Sequence, residues 1–97
     1  MPRYDVHAPR RGPLLIDVQA DWLYDAPNRV VVPLVPHGSI SFVAGVTPIV
    51  DVNGVSKVMA TPFLFSIRRA RLRNPIDNLE RYRDDIIRAF DFMLVGF

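Results

Sequence analysis

Up to about residue 67, the apolar and polar positions follow patterns that are typical of short β-strands. Residues 2–9 (PRYDVHAP) alternate weakly, and residues 14–18 (LLIDV) and 29–36 (RVVVPLVP) are short runs rich in branched side chains, with prolines and the turn DAPN at their ends. Residues 63–67 (FLFSI) favour another strand. Pro33 cannot donate a ladder hydrogen bond, so we expect it at a sheet edge or a bulge.

The clearest local signal in this part of the chain is a hairpin at residues 48–61 (PIVDVNGVSKVMAT). Two β-prone runs flank Asn53 and Gly54, the residue types that tolerate the positive φ angles of a two-residue type I′ turn. The pattern therefore predicts two antiparallel strands joined by that turn.

The period changes from two to between three and four in the last quarter of the chain. Asn74 has the character of a helix N-cap, Pro75 suits the first helical position, and Gly96 suits the helix end. The apolar stripe consists of Ile76, Leu79, Tyr82, Ile86, Phe90 and Met93. We therefore predict one C-terminal helix after a series of strands. This order is typical of an α+β or small-barrel domain, which we expect to span residues 1–97 as a single domain.

The predicted helix carries more apolar residues than one packed side requires. Ile87, Phe92, Leu94, Val95 and Phe97 lie off the stripe. Two explanations stay open: a small sheet curls around the helix and covers both sides, or a second copy of the chain or another protein covers the remainder.

Charge and composition limit the classes of function. The net charge is +2, and eleven of the twelve basic residues are Arg, four of them clustered at Arg68, Arg69, Arg71 and Arg73. Acidic residues follow closely and no aromatic or groove-reading pattern accompanies the cluster, so we do not expect direct nucleic-acid binding. The lack of cysteine excludes disulfides, thiolate zinc sites and cysteine nucleophiles. No apolar run approaches the ~20 residues that span a bilayer, which favours a cytoplasmic protein without membrane attachment.

No constellation of residues supports catalysis. His7 and His37 lack partners at metal-ligand spacing, and we interpret them as surface residues. We predict no metal, no cofactor and no enzymatic activity, and hence a binding protein.

In DWLYD, residues 21–25, Trp22 and Leu23 lie between acids in a loop or single turn. Trp22 is either an interface residue or the largest anchor of the core.

Three segments together resemble one known family. Residues 16–34 (IDVQADWLYDAPNRVVVPL) resemble the VDVQ…D…TP…R…VIPL stretch of CcdB proteins, the plasmid addiction toxins that poison DNA gyrase. The segments TPIVDVNG…VMAT and AFDFMLVGF are similar to the family's central hairpin and to its A…LMFWG ending. The resemblance implies an SH3-like small β-barrel, with an antiparallel main sheet, a minor sheet and one C-terminal α-helix, assembled as a homodimer.

The resemblance also implies a mechanism and its residues. A CcdB-like toxin binds the A subunit of DNA gyrase, traps the cleaved-DNA complex and is neutralised by a cognate antitoxin, with which such toxins take part in transcription autoregulation. The gyrase-binding residues carried over are Val95, Gly96 and Phe97, with Leu94 and Asp91 on the adjoining face. Trp22 and Leu23 are carried over as residues next to the antitoxin or target contact.

Val95 stands where the family has Trp, the residue type expected to be a binding hot spot. Two alternatives to a gyrase poison stay open. One is a non-toxic CcdB-fold homologue that binds an antitoxin-like partner. The other is an endoribonuclease like the MazF and Kid toxins, in which the arginine cluster and His7 or His37 would converge on an RNA backbone.

Overall fold

The computed structural model describes residues 2–23 and 25–96. Within these ranges the chain forms seven strands and then one α-helix, which confirms the predicted α+β order. The elements are β1 (Asp5–His7), β2 (Leu14–Asp17), β3 (Asn28–Val35), β4 (Ile49–Val52), β5 (Val55–Met59), β6 (Phe65–Arg68), β7 (Pro75–Asn78) and α1 (Arg83–Leu94). Of the helices described, none has the length and apolar character needed to cross a bilayer.

The strands pair in one antiparallel sheet that branches at β3. The order is β4-β5-β3-β2-β1-β7, and β6 pairs with β3. Along its second edge, β3 pairs first with β6, from Asn28 to Val31, and then with β5, at Leu34 and Val35. The two layers expected as a main and a minor sheet are thus hydrogen-bonded into one sheet, because the long β3 belongs to both arms of the branch.

Pro33 lies in the middle of β3, and the prediction of an edge or a bulge was wrong. Its carbonyl oxygen accepts a hydrogen bond from Ala60 N at 2.9 Å, so its nitrogen faces the same side, where β6 has ended and β5 begins. No ladder partner is due at that gap. A proline is therefore tolerated in a central strand because the missing N–H falls between two neighbouring strands.

The predicted hairpin is confirmed. Val52 pairs with Val55 across the turn, and Asn53 and Gly54 adopt φ angles of 50° and 88°. Both central residues are thus in the left-handed region that a type I′ turn requires.

The predicted start of the helix was wrong. Pro75 to Asn78 form β7, which pairs with β1, and Asn74 is not an N-cap. Helix α1 begins at Arg83 after a 3-10 turn at Glu80–Tyr82. Pairing with the free edge of β1 satisfies backbone groups that a helix start at residue 75 would have left open. Asn78 makes the turn contact instead, since its Oδ1 accepts a hydrogen bond from Glu80 N at 2.9 Å.

The core lies between one face of the sheet and α1. The inward side chains of the central strands, among them Val6, Ile16 and Val32, pack in one cluster with Ile86 and Ala89 of the helix. On the opposite face, residues 69–74 cross over β1 to β3, and His7 Nδ1 lies 2.5 Å from Arg73 O. The central strands are consequently covered on both faces.

The sheet curls until its two ends, β4 and β7, meet through side chains. Tyr82 Oη accepts a hydrogen bond from Asp51 N at 2.9 Å, and Arg81 Nη2 donates one to Asp51 O at 2.5 Å. Asn53 N donates to Asp77 Oδ2 at 3.3 Å. Burial alone would raise the pKa of Asp77, but hydrogen bonds from Asn78 N, the Arg81 guanidinium and Asn53 N lower that pKa below its ordinary value. We call these contacts the closing seam.

Candidate functional site

Helix α1 ends in an exposed apolar segment. Val95 N donates to Asp91 O at 2.8 Å, and Gly96, with a φ of 91°, donates to the Asp91 and Phe92 carbonyl oxygens at 3.1 Å. The role predicted for Gly96 as the helix stop is confirmed. The side chains of Leu94 and Val95 are 72% and 60% exposed. The curled sheet therefore leaves this end of the helix uncovered, while Phe97, also predicted to bind gyrase, lies outside the described residues.

An open groove of about 370 Å³ lies between α1, strand β3 and the two residues that follow β2. Two of the predicted site residues, Asp91 and Leu94, line it together. Its remaining walls are Arg3, Val18, Gln19, Val30, Ile86, Ile87 and Phe90. The groove is thus lined mainly by apolar side chains, together with one cation, Arg3, and one carboxylate, Asp91.

Arg3 is the groove residue that the sequence did not single out. Its guanidinium carbon lies 4.9 Å from the centre of the Tyr4 ring, and its Nε is buried without a hydrogen-bond partner among the residues described. A buried donor of this kind favours a ligand that brings an acceptor. Only the folding of residue 3 against a helix some ninety positions later creates this site, so no local pattern could have indicated it.

Trp22 lies in a 3-10 turn at Asp21–Leu23 and is 81% exposed. The alternative in which Trp22 anchors the core was wrong. Leu23 is also exposed, although less so. Trp22 and Leu23 do not line the groove beside α1, so the structure places the predicted site residues in two separate patches.

A buried ion pair holds the turn that carries Trp22. Arg29 Nε and Nη2 donate to the two carboxylate oxygens of Asp17 at 2.7 and 2.9 Å, and both side chains are only 1% exposed. Arg29 Nη1 also donates to Leu23 O at 2.9 Å. Asp17, the last residue of β2, is thus half of a buried pair. The alternation of side chains along β2 and β3 could have indicated this pair, because it places Asp17 and Arg29 on the same outer face of the sheet.

His7 was interpreted as a surface residue, and this was wrong, since it is only 7% exposed. Residues 69–74 cover it, and it lines a polar cavity together with Arg69 and Arg73. His37 lies elsewhere and its Nε2 is 2.8 Å from Ser56 Oγ. Of the two histidines, His7 alone meets the arginine cluster. Across the described ranges, no group of three or more His, Cys, Asp or Glu side chains is arranged to hold a metal ion.

Comparisons with known proteins agree with the resemblance seen in the sequence. A solved structure described as the crystal structure of an Mtb toxin matches with a TM-score of 0.72 and 15% identity, over 95% of this chain and 99% of that one. At this identity the likeness concerns the fold. No curated protein matches the chain. The family model described as CcdB protein matches residues 3–96. Since that match spans nearly the whole sequence, the chain belongs to the CcdB family.

Proposed function

We propose that this chain is a toxin of a toxin–antitoxin module that binds the A subunit of DNA gyrase and traps its cleaved-DNA complex. It acts in the cytoplasm as a single SH3-like barrel domain that assembles into a homodimer, and a cognate antitoxin neutralises it. The exposed apolar end of α1, at Leu94 and Val95, is the observation that carries the proposal. Val95, Gly96 and Phe97 make the gyrase contact in this proposal.

The proposed mechanism is binding without catalysis. A ligand shifts a population toward the state that it binds more tightly, and it needs no covalent step to do so. Full burial of an aliphatic side chain contributes about 1.5–3 kcal/mol. Leu94 and Val95 are exposed enough to gain most of that on contact with a partner. Asp91 and Arg3, which both line the groove, would orient the partner by charge.

The antitoxin is proposed to use the same region. An apolar groove beside an exposed helix end suits an amphipathic partner segment. Occupation of the groove by such a segment would cover Leu94 and prevent contact with gyrase. Trp22 and Leu23 form a second exposed patch that a long partner segment would reach.

Induced expression in a bacterial host, together with cleavage assays on purified gyrase, tests the proposal. We expect growth arrest and gyrase-dependent double-strand breaks from the wild type, and neither from Val95→Asp or from a chain that lacks Gly96 and Phe97. Val55→Asp is the matched control, because Val55 is 54% exposed but lies on β5 at the hairpin. Unaltered supercoiling and cleavage at high concentrations of wild-type protein would reject gyrase as the target.

The second candidate is a non-toxic homologue that binds an antitoxin-like partner. Val95 favours it, because Val cannot fill the pocket that the family's Trp fills or stack on a guanidinium. Under this candidate the wild type is harmless but binds its partner tightly, and Val95→Trp gains toxicity. A toxic wild type would exclude this candidate.

A further inference from the structure

A polar cavity of about 280 Å³ lies on the face of the sheet opposite the helix. Its floor is the outer face of β1 to β3, and its roof is the covering segment, residues 69–74, with Pro75 at the start of β7. Its walls are Pro2, Asp5, His7, Asp17, Arg29, Arg69, Leu72, Arg73, Asn74 and Pro75. It shares no lining residue with the groove beside α1.

Three arginines, one histidine and two aspartates line this cavity. The carboxylate of Asp17 is neutralised by Arg29 through two hydrogen bonds. Asp5 accepts a hydrogen bond from Asn78 Nδ2 at 2.9 Å. Arg69 and Arg73 add two guanidiniums, and among the residues that the structure describes no carboxylate lies within salt-bridge distance of Arg73.

The hydrogen bond of His7 fixes its tautomer. A carbonyl oxygen can only accept, so the Nδ1 that lies 2.5 Å from Arg73 O carries a hydrogen and donates it. In the neutral ring, Nε2 is then an acceptor, and in the protonated ring it is a second donor. The same bond holds residue 73 against the sheet, so the ring and the Arg73 backbone are fixed relative to each other.

We propose that this cavity binds the phosphate group of a phosphate ester. Guanidinium forks match phosphate oxygens in geometry and charge, and a tetrahedral anion accepts hydrogen bonds from several directions. In this proposal Arg73 and the Asn74 amide supply donors beside Arg69, and His7, when its ring carries a second hydrogen, adds a donor through Nε2.

The size and surroundings of the cavity favour a nucleotide as the carrier of that phosphate. About 280 Å³ lies near the lower limit of small-molecule pockets. A wider depression of about 750 Å³, lined by Pro27, Asn28, Arg68, Arg69 and Ala70, adjoins it at Arg69. A phosphate in the cavity would leave its sugar and base, or the next nucleotides of a single strand, room in the depression.

Calorimetric titration of the full chain at low salt tests the proposal with three probes: inorganic phosphate, adenosine 5′-monophosphate and a single-stranded hexaribonucleotide. We expect Arg73→Gln to weaken binding about tenfold, the low end of the cost of a lost charge-assisted hydrogen bond. His7→Asn should weaken it as well, because Asn retains a donor for Arg73 O but has no group in place of Nε2. Competition between the mononucleotide and the strand would show that both occupy one site, and the tighter of the two identifies the source of the phosphate.

Arg71→Gln is the matched control. It removes the same charge from the same covering segment, but Arg71 does not line the cavity. We expect its affinity to match that of the wild type, with the circular dichroism spectra of all variants unchanged. Failure of all three probes to bind, or an equal loss in Arg71→Gln and Arg73→Gln, would overturn the proposal.

Discussion

Asp17→Asn isolates the energetic role of the buried ion pair under the Trp22 turn. The substitution keeps the shape of the side chain and an oxygen for Gln19 N, which donates to Asp17 Oδ1 at 3.0 Å. It removes the charge that compensates the Arg29 guanidinium, and that group is 1% exposed. A buried cation is then left without its counterion.

The expected cost is about 3–5 kcal/mol in the free energy of unfolding, the usual result of breaking a buried pair from one side. A chain of this size is stable by about 5–15 kcal/mol, so the variant should fold but with a much smaller margin. Replacing both partners, as Asp17→Leu with Arg29→Met, removes both buried charges. We expect this double variant to be more stable than the single variant, since apolar residues often replace a buried pair at little cost.

Urea unfolding followed by far-ultraviolet circular dichroism measures these differences. The chain has one tryptophan, Trp22, and its exposed indole reports on the turn rather than on the core. Its fluorescence anisotropy should fall in the double variant, because Arg29 no longer donates to Leu23 O. Asp85→Asn is the control, since Asp85 forms only an exposed pair with Arg88 at 3.7 Å, and we expect a change below about 1 kcal/mol.

Two results would refute this reasoning. A loss below about 1 kcal/mol in Asp17→Asn would mean that the pair is hydrated or dispensable. An unchanged Trp22 anisotropy in the double variant would mean that Arg29 does not hold the turn.

Three further predictions concern the closing seam, a loop and the exposed tryptophan. Because the pKa of Asp77 is lowered from 3.8, its contribution to stability is present above that pH and is lost as the pH falls through the lower folded value. In Asp77→Asn, the free energy of unfolding measured in urea should therefore fall less steeply as the pH is lowered. An unchanged dependence on acid pH would contradict this. Gly45→Ala should lower the melting temperature more than Gly54→Ala. Both glycines have positive φ, but a Cβ at residue 45 would lie 3.1 Å from Phe92 Cδ2, whereas a Cβ at residue 54 would meet nothing within 4 Å. Equal shifts in melting temperature would argue against the contact with Phe92. Trp22→Ser should change the free energy of unfolding by less than about 0.5 kcal/mol but weaken antitoxin or gyrase binding; a large loss of stability would instead assign Trp22 to packing.

The sequence correctly predicted those elements whose geometry depends on the residues within the element itself. The turn at Asn53 and Gly54 requires positive φ angles at these two residues, and both residue types adopt such angles readily. Gly96 likewise ends the helix because it adopts a positive φ. Asn74 and Pro75 had an equally clear pattern for a helix start, but the predicted helix start was wrong. Their backbone pairs with β1, some seventy residues earlier, and tertiary pairing overrides a capping preference of about 1 kcal/mol.

The candidate site was predictable to a similar degree. Leu94 and Val95 were identified as surplus apolar residues on a helix, and they are exposed. The roles of Arg3, His7 and Arg29 were not predicted, because each depends on a residue distant in sequence or on a covering segment. A single sequence without pairing information shows the period of an element but not which segment lies over which face.

The closing seam has a consequence for motion. Its bonds come from side chains rather than from a backbone ladder, so the hairpin of β4 and β5 can detach from β7 without rupture of any strand pairing. Amide hydrogens at Asp51 and Asn53 should then exchange with solvent far sooner than those of β2 and β3. The curled sheet would open along this line, and protonation of Asp77 in acid would favour the opening, because it weakens the bond from Asn53 N.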